Sequence, residues 1–214
     1  MLKTVIFDFD GTLADTLPII FKAFQHIFKT YRSENVSPEA IIRMFGLTEE
    51  GIIRENFTPD LAETVITDFH HFYQDHHDTW VKRSQEIEDL LHFIKAKGLN
   101  LAIMTGKGRA TLDLSLKALE MEDLFDMTVT GDEVSKPKPD PEGILKIMRA
   151  LNTSPDEAIF IGDSNNDICA GKSAGVETIG VQWLENYQSS HFTADPDHVF
   201  TRVEDFRRYL EQSV

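Results

Sequence analysis

The chain opens on Thr4-Val5-Ile6-Phe7, a run of strand-forming side chains that stops at Asp8. A short apolar run broken by Gly11 and Thr12 predicts a buried strand. From Leu17 the rhythm changes: Ile20, Phe24, Ile27, Phe28 and Tyr31 recur at helical spacing. Ser37-Pro38-Glu39 predicts the start of a second helix. Ser37 can cap it, Pro38 suits its first turn, and Glu39 favours its N-terminus. Gly46-Leu47-Thr48 interrupts, and Thr48 can cap a third helix. Pro59 and Asp60 open a longer one that carries Leu61, Val65, Phe69, Phe72 and Tyr73 on one stripe. Residues 17–80 are therefore expected to be helical throughout.

After this block the pattern alternates. Helices are predicted over 87–96, 109–119, 141–151, 167–174 and 203–211. Between them lie predicted strands 101–104, 127–130, 158–161, 178–181 and 198–200. Strand–helix alternation implies βαβ units with right-handed crossovers, hence an α/β fold with a doubly wound parallel sheet. The helical block is inserted into that sheet directly after its first strand.

Composition narrows the classes of function. With 36 acidic against 21 basic side chains, the 214-residue chain carries a formal charge of −15. Nucleic acid and anionic membranes require clustered Lys and Arg, and no basic run occurs, so neither is an expected partner. Cys169 is the single cysteine, which forbids an intrachain disulfide and suits a reducing compartment. The residues before Asp8 do not read as a signal peptide and no apolar stretch is long enough to span a bilayer. A cytoplasmic location is expected.

Ligands of open parallel sheets sit beyond the carboxyl ends of the strands. The predicted strand ends carry Asp8-Phe9-Asp10-Gly11-Thr12, then Thr105-Gly106-Lys107, then Ser135-Lys136-Pro137-Lys138-Pro139-Asp140, and finally Gly162-Asp163-Ser164 with Asp167 beyond. Three crowded carboxylates repel at short range unless a cation relieves them. Mg²⁺, which takes few carboxylates together with waters and phosphate oxygens, fits that need. The set suits phosphoryl transfer, where positioning and charge neutralisation dominate. Asp8 is expected to attack phosphorus. Asp10 would protonate the leaving oxygen and then deprotonate the hydrolytic water. Thr105, Gly106 and Lys136 would hold the phosphoryl group, and Asp8 and Asp163 the metal. Asp167 would orient Lys136 or a metal-bound water, or else serve only its own helix N-terminus.

In this order the clusters resemble the four motifs of the haloacid dehalogenase superfamily of hydrolases. The resemblance covers the whole predicted core, and Asp15 with Lys136-Pro137-Lys138-Pro139-Asp140 is most similar to the phosphoglycolate phosphatase and β-phosphoglucomutase branch. It implies a Rossmann-like catalytic core from 1–13 and 85–214, and a mobile helical cap of the C1 type over 14–84. It also implies Mg²⁺ held by Asp8, the Asp10 carbonyl and Asp163. The choice of Lys136, with Lys138 left solvated, rests on the family's spacing. Asp10 distinguishes the chain from dehalogenases, which lack this acid, and from P-type ATPases, which carry Thr there. The expected function is Mg²⁺-dependent hydrolysis of small phosphomonoesters through an aspartyl phosphate, with phosphoglycolate phosphatase as the nearest type. A phosphomutase and a phosphoacceptor signalling domain are the alternatives. The loop Gly46-Leu47-Thr48-Glu49-Glu50 counts against a mutase, whose cap places a basic residue there for a second phosphate. The receiver-type reading meets no helical insert and no second acid in its own family.

Other polar residues have plainer readings. Thr105-Gly106-Lys107-Gly108 fails the nucleotide-loop templates and reads as a tight turn into a helix. His70, His71, His76 and His77 are expected on a solvated helix face. Cys169 is expected to be a small buried side chain. Arg43, Phe45, Glu49 and Trp80 either touch substrate or pack ordinarily.

Overall fold

The computed structural model describes residues 1–213. Strand β1 is Thr4–Phe7, and four helices follow it: α1 (Leu17–Arg32), α2 (Pro38–Ile42), α3 (Glu49–Asn56) and α4 (Pro59–Trp80). The alternating part comprises α5 (Gln85–Ala96), β2 (Asn100–Met104), α6 (Arg109–Ala118), β3 (Met127–Val129), α7 (Glu142–Ala150) and β4 (Ala158–Gly162). It continues with α8 (Asn165–Ala174), β5 (Glu177–Val181), β6 (His198–Phe200) and α9 (Val203–Ser213).

All strand pairings are parallel, and the sheet order is β3-β2-β1-β4-β5-β6. The chain starts in the middle, builds outward to β3, then returns to the other side of β1 with β4. The order thus reverses at β1, and the crevice beyond its carboxyl end is the expected ligand position. Strand alternation sends side chains to two cores. Val5, Phe7, Leu101, Ile103, Ile159 and Ile161 join one buried cluster. Ile6, Ala102, Met104 and Phe160 join the other, on the side of α7 and α8.

The first cluster is continuous with the helical block, because Ile20, Phe24, Ile53, Phe69 and Tyr73 belong to it. Helices α1 and α4 pack side by side, and α4 also reaches α6. The predicted caps form: the Ser37 hydroxyl accepts from the Ala40 amide at 3.2 Å, and that of Thr48 from the Gly51 amide at 3.2 Å. Helix α8 begins two residues earlier than periodicity suggested. Ser164 and Asp167 close a capping box that fixes the start at Asn165. No helix among the described residues is long and apolar enough to cross a membrane.

Two side chains differ from expectation. Cys169 is exposed, because Ile168 and Ala170 take the inward positions of α8. His77 is buried rather than solvated, with Nε2 3.2 Å from the Ser115 hydroxyl. The last turns of α4 pack against α6 there, and His77 faces that contact while His76 and Asp78 beside it stay exposed.

Candidate active site

Beyond β1 the chain turns through Asp8, Phe9, Asp10 and Gly11. Asp8 is buried and its Oδ1 lies 2.8 Å from the Lys138 Nζ. Lys138 also meets Asp167 Oδ1 at 2.5 Å, and its side chain is only 9% exposed. Lys136, the residue expected from spacing, points away. Its Nζ is 3.8 Å from Asp140 and its side chain is 73% exposed. The cause is local. The Glu142 carboxylate accepts from the Ser135 amide and hydroxyl and from the Lys136 amide. That grip fixes the loop so that Lys138, two residues on, faces the sheet edge. Lys138 replaces Lys136 in the cluster and is not solvated.

Asp163 is fully buried at the end of β4, and oxygens of Asp8, Asp163 and Asp167 all lie within 4.8 Å of one another. Three acids this close need a cation. Burial pushes the Asp8 carboxyl up to about 7, the Asp167 charge adds to the rise, and Lys138 opposes it. Burial, with Asp167 and Asp8, likewise drives Asp163 well above the usual carboxylate range. Lys138 is held above the ordinary lysine value by Asp167 and Asp8 although burial works against its charge. One ammonium does not balance the three carboxylates, and a hard divalent ion fits the all-oxygen donor set. Asp8 and Asp163 could supply oxygens to such an ion. Asp167 is engaged by Lys138 through Oδ1 and by the Ser164 amide and hydroxyl through Oδ2, at 2.9 and 2.6 Å. It orients Lys138, not Lys136.

Gly11 is required at this turn. Its φ is +78°, and a Cβ there would collide with the Asp163 carboxylate. Asp10 sits one residue earlier, with Oδ1 accepting from the Thr16 hydroxyl and from Lys107 Nζ at 3.1 Å. Thr16 is the residue before α1, yet it caps nothing, because its hydroxyl is committed to Asp10. Thr105 is buried at the end of β2, and its hydroxyl accepts from the Lys107 amide at 3.2 Å. Thr105 and Gly106 line one cavity with Asp8, Asp10, Lys107 and Lys138, and the space measures about 90 Å³. The structure thus brings Asp8, Asp10, Thr105, Gly106, Asp163 and Asp167 together and leaves Lys136 outside.

Two groups were not anticipated. Lys107 was read as part of a turn, yet it is buried between Asp10 and Glu49, 3.1 Å from each. Its ammonium also lies 4.7 Å from the centre of the Tyr73 ring. Glu49 accepts from the Gly108 amide at 2.7 Å and the Thr111 hydroxyl at 2.9 Å as well. This inserted-helix residue therefore caps the N-terminus of α6. The second group is the segment after β5. The Gln188 amide donates to Asp163 Oδ2 at 2.6 Å, Asn186 to Asp15 at 3.0 Å, and the Trp183 indole to the Thr12 carbonyl at 2.7 Å. The signal was present in the sequence: residues 182–197 form an unusually long connection, and long connections are often functional.

Comparison with known proteins bears on the family and the fold. The sequence model of haloacid dehalogenase-like hydrolases matches residues 5–181. The chain is 31% identical to the pyrophosphatase PpaX of Bacillus anthracis over 95% of its length and 94% of the relative's. A predicted phosphoglycolate phosphatase from Haemophilus somnus superposes with a TM-score of 0.86 at 22% identity, with 98% of each chain covered. CbbY from Rhodobacter sphaeroides, solved in complex with phosphate, superposes with a TM-score of 0.84 at 21% identity, with 96% of each covered. These two structures share the fold.

Proposed function

From the premise that this chain belongs to the haloacid dehalogenase-like hydrolase family, we propose that it is a Mg²⁺-dependent phosphatase of small phosphomonoesters, with Asp8 as covalent nucleophile. Membership makes it a hydrolase of the phosphatase kind. The observation that carries the finer reading is the buried Asp8–Lys138–Asp167 chain beside Asp163, facing one small cavity.

In this reading Asp8 attacks phosphorus and forms an aspartyl phosphate, while Lys138 neutralises charge on the transferring oxygens. The Thr105 hydroxyl and Gly106, which line the same cavity, position the phosphoryl group. Asp10, its Oδ1 held by Thr16 and Lys107, delivers a proton to the leaving oxygen and later takes one from water. Asp8, the Asp10 carbonyl and Asp163 would hold Mg²⁺, which supplies charge neutralisation when bound. The helices of 14–84 act as a cap over a core of 1–13 and 85–214. The acidic surface and single cysteine suit a cytoplasmic enzyme whose partners are metabolites, not nucleic acid or membrane.

Phosphate release from p-nitrophenyl phosphate, phosphoglycolate and pyrophosphate, the last named for the PpaX relatives, tests the proposal. Turnover should require Mg²⁺ and fall to background in Asp8→Asn. Undiminished turnover by that variant would remove Asp8 from the chemistry.

A further inference from the structure

The charged residues that line the cavity form two clusters. Lys138 pairs with Asp8, and with Asp167 behind it. Lys107 pairs with Asp10 and Glu49. Two carboxylates there face one ammonium.

That ammonium is already engaged within the protein. Lys107 Nζ contacts Asp10 and Glu49 at 3.1 Å each and lies 4.7 Å from the centre of the Tyr73 ring. The other cation on the cavity wall, Lys138, is held by Asp8 and Asp167. Arg43, the nearest basic residue along the chain before Glu49, is exposed and does not line the cavity. Of the uncharged lining residues, Ile20, Phe24, Phe45, Leu47 and Ile52 give an apolar stretch of wall, while Thr105, Ser164, Asn166 and Gln188 are polar but carry no charge. Leu47 is 41% exposed although it lines the cavity, so it presents an apolar surface to an incoming molecule.

Resting on the phosphatase reading above, we infer that Glu49 and the apolar wall select phosphomonoesters whose leaving group is uncharged, and that a second anionic group is rejected. A carboxylate or second phosphate on the substrate would enter a desolvated region beside Asp10 and Glu49 with no free cation to pair it. An unpaired buried charge is heavily penalised, and like charges repel strongly where water is excluded. A neutral alkyl or aryl group instead gains from contact with Phe24, Phe45 and Leu47. Glu49 thus does two things at once. It latches the inserted helices onto α6 through Gly108 and Thr111, and it occupies the place where a second anion of the substrate would seek Lys107. The chain would accordingly treat phosphoglycolate and pyrophosphate as poor substrates.

The test compares matched substrates with the full-length enzyme and saturating Mg²⁺, reading kcat/KM from phosphate release. Ethyl phosphate is paired with phosphoglycolate, and phenyl phosphate with 4-carboxyphenyl phosphate; pyrophosphate is measured alongside. The neutral member of each pair should be preferred by about tenfold or more, from one like charge a few ångströms away at reduced dielectric. Glu49→Gln should shrink that ratio. Leu47→Arg alters an exposed side chain, so folding is not at stake, and should move the ratio toward the charged member by about tenfold. Preference of the wild-type enzyme for phosphoglycolate, 4-carboxyphenyl phosphate or pyrophosphate would overturn the inference while leaving the phosphatase reading intact. So would ratios that neither substitution changes. Failure to release phosphate from any of the five would instead overturn the phosphatase reading, and the inference with it.

Discussion

Asp8→Asn should make the metal-free protein more stable at alkaline pH while abolishing its activity. In the folded protein the Asp8 carboxyl is raised from 3.8 to about 7. A group raised in this way contributes stability that is full below its unfolded value and is lost as pH rises through the folded one. At pH 8 the ionised side chain therefore costs about 4 kcal/mol relative to the unfolded chain. Asparagine keeps the shape without the charge, and Lys138 keeps Asp167 as its partner. The variant should gain up to about 4 kcal/mol at pH 8, a rise in Tm of up to roughly 8–16 °C for a chain of this size. The gain should shrink steadily below pH 7 and vanish near pH 4, where the wild-type carboxyl is protonated too. Thermal unfolding in chelator at several pH values, followed by circular dichroism, reads this directly. Mg²⁺ should then stabilise the wild type more than the variant, because it relieves a repulsion that the variant lacks. A variant less stable than wild type at pH 8, or a difference that does not depend on pH, would refute the reasoning.

Further substitutions test individual contacts. Lys138→Met should lower kcat by about 10²–10³-fold, whereas Lys136→Met, on an exposed side chain, should stay close to wild type; steady-state kinetics of the two separates them. Gly11→Ala should weaken Mg²⁺ binding at least tenfold, measured by calorimetry, because the added methyl meets the Asp163 carboxylate in a left-handed turn. Lys107→Met should destabilise the protein by about 3–5 kcal/mol in denaturant titration, since Glu49 is left buried without its cation.

Much of this arrangement was legible in the sequence where a periodic element ends in a polar residue. Strand β1 runs into Asp8 and strand β4 into Asp163, and a buried apolar run leaves no doubt about where its carboxyl end lies. The parallel sheet followed from the same alternation. The loop before α7 offered no such ruler. Lys136 and Lys138 are separated by one proline, and their directions are decided by the Glu142 carboxylate gripping the Ser135 and Lys136 amides. Nothing periodic encodes that contact. Lys107 read as part of a turn, and Glu49 was left between substrate contact and ordinary packing, for a related reason: each is an ordinary charged residue until the helical insertion folds back onto α6 and buries both. His77 follows the same logic, because α6 covers one end of a helix that is otherwise amphipathic.

The central claim is that Asp8 itself carries the phosphoryl group during turnover. Acid quenching of the Mg²⁺ enzyme within its first turnover on p-nitrophenyl phosphate, followed by peptide mass spectrometry, measures this most directly. The account predicts one acid-stable, base-labile phosphoryl group on the peptide containing Asp8, absent from Asp8→Asn. Nitrophenol released in a full first turnover with no phosphoryl group on that peptide would contradict it.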